Sequence, residues 1–218
     1  LTGNPGLVPK YAGVTIGMTS TMSPEDASAD DALCLRDRPT PSDLALTNAK
    51  TFPDAVRAAC LKLCEGRPDL LAHAVWSPAR GELLEPLGVL FGDEAIAHGE
   101  LAGGLFRLIA GEGETTPITA AALKAGGPVW MPSIPRVGWK GTGRLLRAHG
   151  VSSGGAFPFV ADGRVVAVIE LLSFESLQCD LASNALAEEL APLLEAKHLR
   201  SRSPQLLDAP GNVPMPGQ

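Results

Sequence analysis

Between residues 51 and 65 the apolar side chains recur at helical spacing. Phe52, Ala55, Val56, Ala59, Cys60, Leu63 and Cys64 form one stripe of a 3.6-residue period. Thr51 supplies an N-cap, Pro53 fits the first turn, and Gly66 followed by Pro68 ends the helix. The pattern then changes. Leu70–Trp76 reads as a strand, residues 77–81 as a turn, and Leu83–Leu90 as the hairpin partner. Gly103-Gly104 breaks any helical reading of residues 93–113, where Leu105–Ala110 fits a short strand. Thr116 capping Pro117 starts a short helix over Ile118–Ala125, closed by Gly126-Gly127. Val129–Met131 is a brief strand and Gly143–His149 a short helix. The stretch GVSSGGAFPFVADGRVVAVIELLS (150–173) predicts two strands around an Asp162-Gly163 turn. A last helix runs from about Asp180 to His198, kinked or restarted at Pro192. Strands joined by hairpins predict an α+β fold, a mainly antiparallel sheet with helices on its faces.

The ends of the chain lack this periodicity. Residues 1–50 are rich in Pro, Gly, Ser, Thr and Asp and contain one strand-like piece, Val14–Met18. Residues 201–218 are rich in Pro and Gly. The expected organisation is an extended N-terminal arm (1–50), one folded domain (51–200) and an extended C-terminal tail (201–218), with something outside the domain holding the arms. No apolar run reaches the roughly 18–20 residues that span a bilayer, and Glu170 interrupts the run from Val165 to Phe174. Four scattered cysteines (Cys34, Cys60, Cys64, Cys179) do not make a disulfide scaffold, so a reducing compartment is expected. The chain begins at Leu1 rather than Met. A removed transit peptide would account for that, with a chloroplast or other organelle as the setting; trimming by design accounts for it equally well.

Three patterns raise specific chemistry. Gly150-Val151-Ser152-Ser153-Gly154 fits G-x-S-x-G, but a nucleophile elbow follows a strand and enters a helix, whereas here a helix precedes Ser152 and a strand follows. Asp162 or Asp180 with His198 would complete the chain order of a triad, though order alone assembles nothing. The stretch reads as a wall of the fold rather than a catalytic centre. Cys60 and Cys64 lie one helical turn apart, yet two ligands are not a metal site, and the four histidines have no metal-binding spacing. The GWKGTG segment (138–143) lacks the full phosphate-loop pattern. Its charge setting is more informative. From Thr115 to Ala161 there is no acidic residue, while Lys124, Arg136, Lys140, Arg144 and Arg147 are all cationic; all 24 acidic residues lie outside this segment. Such asymmetry predicts a face for an anion, an acidic partner surface or anionic membrane headgroups, with Trp139 as an aromatic anchor. An acidic overall balance, with pI near 5.2 and few aromatics, argues against nucleic acid.

Residues 120–134 (AAALKAGGPVWMPSI), the 150–173 hairpin and the flanking helices together resemble the GAF domain, a small-molecule sensor fold related to PAS domains. The resemblance covers about residues 51–200. It implies a twisted antiparallel sheet of five or six strands with helices packed on its faces, and a pocket between the sheet and the irregular segment 91–149. Trp130, Ser152, Ser153 and Phe157 are the pocket residues expected from it. Two specialisations of the family do not carry over. No cysteine is followed by histidine, as in covalent bilin attachment: Cys34 and Cys60 precede Leu, Cys64 precedes Glu and Cys179 precedes Asp. The Asn-Lys…Phe…Asp-Glu pattern of cyclic-nucleotide binders is absent as well. The resemblance therefore names no ligand or cofactor.

The leading expectation is a non-enzymatic accessory or scaffold subunit of a larger assembly, such as a photosynthetic complex. Its arms and its basic face would contact other protein subunits. A small-molecule sensory domain acting on a separate output module is the alternative, and a hydrolase using Ser152 ranks last.

Overall fold

Short polar signals set the helix boundaries in the computed structural model, which describes residues 39–77, 85–87, 90–92, 95–134 and 141–202. The first helix, α1 (Pro41–Asn48), falls inside the segment expected to be extended. Thr40 and Asp43 form a reciprocal capping box there, with Pro41 at the first helical position, so a short helix of little amphipathicity still begins. Helix α2 (Phe52–Cys64) starts on the Thr51 cap as its spacing predicts, and all seven residues of its stripe are buried.

Five strands follow: β1 (Leu70–Trp76), β2 (Glu85–Pro86), β3 (Val129–Met131), β4 (Ser153–Ala161) and β5 (Arg164–Ser173). They form one antiparallel sheet in the order β2-β1-β5-β4-β3. Asp162 and Gly163 both have positive φ, 50° and 74°, the backbone that a two-residue hairpin turn of matching twist requires. The expected partner strand over 83–90 is reduced to Glu85–Pro86 among the described residues, with Ala72 and Phe91 forming a separate bridge.

The remaining helices are α3 (Gly99–Phe106), α4 (Pro117–Ala125), α5 (Gly141–Ala148) and α6 (Leu181–Arg202). Residues 105–110 are not the expected strand. Helix α3 runs through its two glycines and widens into a π-turn over Arg107–Gly111. Gly104 is where α3 meets Leu145 of α5, and a Cβ there would stand 2.6 Å from a Leu145 methyl group. Pro192 does not restart α6. It lies on the exposed side, as Glu188 does, so the carbonyl it leaves unpaired faces solvent.

Alternation along the strands divides the core into two layers. On one face Leu70, Ala72, Ala74, Phe157, Phe159, Ile169 and Leu171 pack with α1, α2 and α6. On the other face Leu71, Val75, Ala156, Val168 and Leu172 pack with Leu101, Leu105, Ile118 and Leu146 of α3, α4 and α5. No helix among the described residues is long and apolar enough to cross a membrane.

Candidate functional site

The second face carries a feature that the first lacks. Strand register sets His73 of β1 opposite Glu170 of β5, Glu170 opposite Ala156 of β4, and Ala156 opposite Val129 of β3. Glu170 is 0% exposed and His73 1%. Two charge-bearing side chains therefore occupy the middle of an apolar layer, where a charge is tolerated only if compensated.

Compensation comes largely from α4. Thr116, its N-cap, donates a very short hydroxyl hydrogen bond to Glu170 Oε1. The same oxygen accepts the Thr119 backbone N–H at 2.8 Å and the Thr119 hydroxyl at 2.7 Å. The carboxylate thus stands at the positive end of the α4 dipole and shares the Thr119 N–H with the capping Thr116 hydroxyl, which accepts it at 3.1 Å. His73 Nδ1 lies 3.4 Å from Oε2, near enough for charge attraction but too poorly aligned for a hydrogen bond. Burial pushes the Glu170 carboxyl up, but His73 and the two threonines outweigh it and hold the group below the ordinary glutamate value. His73 Nε2 is buried and has no hydrogen-bond partner. Gly154 lets α4 close over this region, since a Cβ there would sit 2.7 Å from Ile118 Cδ1 and against the Leu171 carbonyl oxygen.

The four residues expected to line a pocket do not gather here. Phe157 belongs to the core under α2 and α6. Trp130 packs edge-on against Phe157 at 5.6 Å and donates its indole N–H to Asn184 of α6 at 2.9 Å. The Ser153 hydroxyl donates to the Glu175 carbonyl and accepts the Leu177 N–H at 2.8 Å, pinning the segment after β5. Ser152 alone sits by the second layer: its carbonyl accepts the Ile134 N–H at 2.7 Å, and its Oγ is buried without a partner. Alternation of side chains along β4 separates these residues, because Ser153, Gly155 and Phe157 share one face and Gly154 and Ala156 the other.

The remaining patterns resolve individually. Ser152 follows α5 and enters β4, the reverse of an elbow's order. Asp180 is paired with Arg67, and His198 packs against Phe52 with ring centroids 4.8 Å apart, so no triad forms on Ser152. Cys60 and Cys64 are buried in α2, and burial drives the Cys60 thiol well above its ordinary value. No cluster of three or more metal-ligating side chains occurs among the described residues. The start of α5, within the glycine-rich lysine segment, already holds an anion from this chain. Glu114 Oε2 accepts the Thr142 N–H at 2.9 Å, and a Cβ at Gly141 would collide with that carboxylate. On the basic face Lys124 and Arg144 are exposed and Arg147 is half-buried; Arg136, Trp139 and Lys140 lie outside the described residues. A surface cavity of about 350 Å³ lies elsewhere, between Pro41 and Ser42 of α1 and Cys64–Gly66 at the end of α2.

Sequence reading missed His73, Glu170, Thr116 and Thr119 as a group. One signal was present: a lone acid in the apolar run of β5, noticed only as an interruption of a membrane span.

No protein-family model matches the sequence, and no curated protein sequence does either. Solved structures do match. One is the free methionine-R-sulfoxide reductase of Neisseria meningitidis, crystallised with its substrate, at 17% identity over 82% of this chain and 96% of that chain, with a TM-score of 0.50. Another is the GAF domain of a phosphoenolpyruvate-protein phosphotransferase from Coxiella burnetii, at 14% identity over 76% and 92% with a TM-score of 0.50. The corresponding Acinetobacter domain matches at 10% identity over 81% and 97%, again with a TM-score of 0.50. At these identities the likeness is one of fold, and by its sheet order, its two helical layers and these neighbours the chain has a GAF-like fold.

Proposed function

We propose that this chain is a non-enzymatic regulatory domain that binds a small molecule between the β1-β5-β4 face of the sheet and helices α3, α4 and α5. One observation carries the reading: a fully buried polar centre on that face, in which His73 Nε2 has no partner. A layer built only for stability gains little from a buried ion pair, which apolar residues of similar volume often replace at no loss. Buried, perturbed groups of this kind recur at functional sites. The GAF domains among the neighbours support the same direction.

Thermal unfolding of the full chain across a metabolite library tests it. A ligand present at 100 times its Kd adds about 2.7 kcal/mol. For a domain this size that raises the midpoint by roughly 5–10 °C. A library that leaves the midpoint unchanged counts against the reading.

The accessory-subunit reading rests on a different observation, the exposed Lys124 and Arg144 in a segment free of acidic residues. It expects a defined complex in native mass spectrometry of gently lysed source cells, lost on charge reversal at both positions. Binding of the purified chain to anionic vesicles instead would assign that face to a membrane surface.

A further inference from the structure

We propose that α1 is a strap, hinged at residues 49–51 and closed by two lysine clasps, that opens as a unit ahead of the rest of the domain and uncovers the cavity at its N-terminal end. The inference is independent of the small-molecule reading, since α1 packs on the other layer of the core. Apolar burial holds this helix weakly. Of its eight residues Ser42 and Leu46 are buried, and Leu44 is 49% exposed, whereas α2 buries eight of its thirteen. A helix this short does not persist on its own backbone bonds, so contacts with its neighbours keep it formed and in place.

Those contacts gather at the two ends, each around an ammonium from another helix. At the N-terminal end Lys62 Nζ of α2 lies 3.1 Å from the Asp43 carboxylate, 2.9 Å from that of Glu65 and 3.2 Å from the Thr40 hydroxyl. The Ser42 hydroxyl donates to the same Glu65 oxygen at 2.8 Å. At the C-terminal end Lys197 Nζ of α6 donates to the carbonyl oxygens of Thr47 at 3.1 Å and Ala49 at 2.6 Å, at the negative end of the α1 dipole. The backbone supplies the hinge. Ala49 and Thr51 have ψ of 122° and 160°, so the helical ladder stops between α1 and α2, and α1 can swing away without unwinding α2. Partly exposed charged contacts contribute little each, and segments with few buried apolar contacts open first. The cavity of about 350 Å³ takes one wall from Pro41 and Ser42 and another from residues 64–66. Opening of α1 removes the first wall and exposes Cys64, which is 5% exposed when the strap is closed.

Hydrogen exchange of the full chain at residues 44–48 and 56–64, with alkylation of Cys64 by iodoacetamide followed in parallel, tests this. In the wild type, amides 44–48 are expected to exchange at one shared rate, faster than amides 56–64. Lys197→Met should raise that rate about fivefold, at Leu44 as much as at Asn48 although Leu44 is far from the lost clasp. Alkylation of Cys64 should rise by the same factor, while that of the exposed Cys179 stays unchanged. Exchange of α1 no faster than that of α2 overturns the proposal, and the wild-type protein decides this even if the variant does not fold. An acceleration confined to residues 47 and 48 shows a fraying end and overturns the strap. Faster exchange of the whole of α1 with unchanged alkylation of Cys64 overturns its control of the cavity.

Discussion

The two faces of the sheet are built from the same strands by opposite rules. Under α2 and α6 the strand positions in the core are apolar apart from Ser153 and Ser173 at the strand ends, and the glycine on that face, Gly155, admits the Trp130 ring. Under α3, α4 and α5 the same strands present His73 and Glu170, and the glycine on that face, Gly154, admits Ile118. The first face is held by area removed from water, which tolerates rearrangement. The second adds to its apolar layer a few directional contacts around one carboxylate, which do not.

Removing volume from the first face is the strongest way to break this contrast. Phe157→Ala, at a residue 1% exposed, is expected to cost about 3–5 kcal/mol in denaturant unfolding. Removing one partner from the second face should approach the same loss, since Glu170→Ala leaves His73 and two threonines facing an empty, dry space, at about 3–5 kcal/mol. The double variant His73→Leu/Glu170→Met sharpens the comparison. Replacing the pair by apolar residues of similar volume should recover most of that stability while abolishing ligand response. A double variant as weak as Glu170→Ala would mean that the pair serves the fold itself.

Titration separates the faces at smaller amplitude. The folded Glu170 carboxyl lies below the ordinary value of 4.5. Its contribution is therefore fully present above that value and lost as pH falls through the lower, folded value. The unfolding free energies of wild type and Glu170→Gln should converge in acid and diverge toward neutrality; parallel curves would show that the carboxylate is not ionised in the fold. The smallest effect is expected at a cap remote from the site. Thr51→Ala removes the acceptor for the Asp54 N–H at the start of α2 and should cost about 1 kcal/mol, with no change in ligand response.

The same contrast explains what the sequence disclosed. The α2 stripe and the β4–β5 hairpin were legible because each repeats one period and ends on a recognisable turn. Helix α1 was not, because eight residues hold too few apolar positions to show a period; its Thr40…Asp43 box was the available signal. Helix α3 was hidden by Gly103-Gly104, of which Gly104 makes room for Leu145 on a distant part of the chain. The site suffered most. Its members come from β1, the N-terminus of α4 and β5, and nothing in the spacing of 73, 116, 119 and 170 announces that register will bring them together. Phe157 and Ser153 were expected in a pocket from the family resemblance; alternation along β4 sets both on the face under α2 and α6.

Glu170 also has a consequence for how the protein breathes. If α4 frayed alone, the carboxylate on β5 would lose the hydroxyl and amide donors that allow it to stay charged inside the fold. That penalty ties the helix to the central strands. The amides of residues 119–125 should therefore exchange with solvent at the slow rate of β1 and β5, by a shared opening, although α4 is a short helix on the rim of the core. In the Glu170→Met background the two rates should part, with α4 exchanging first.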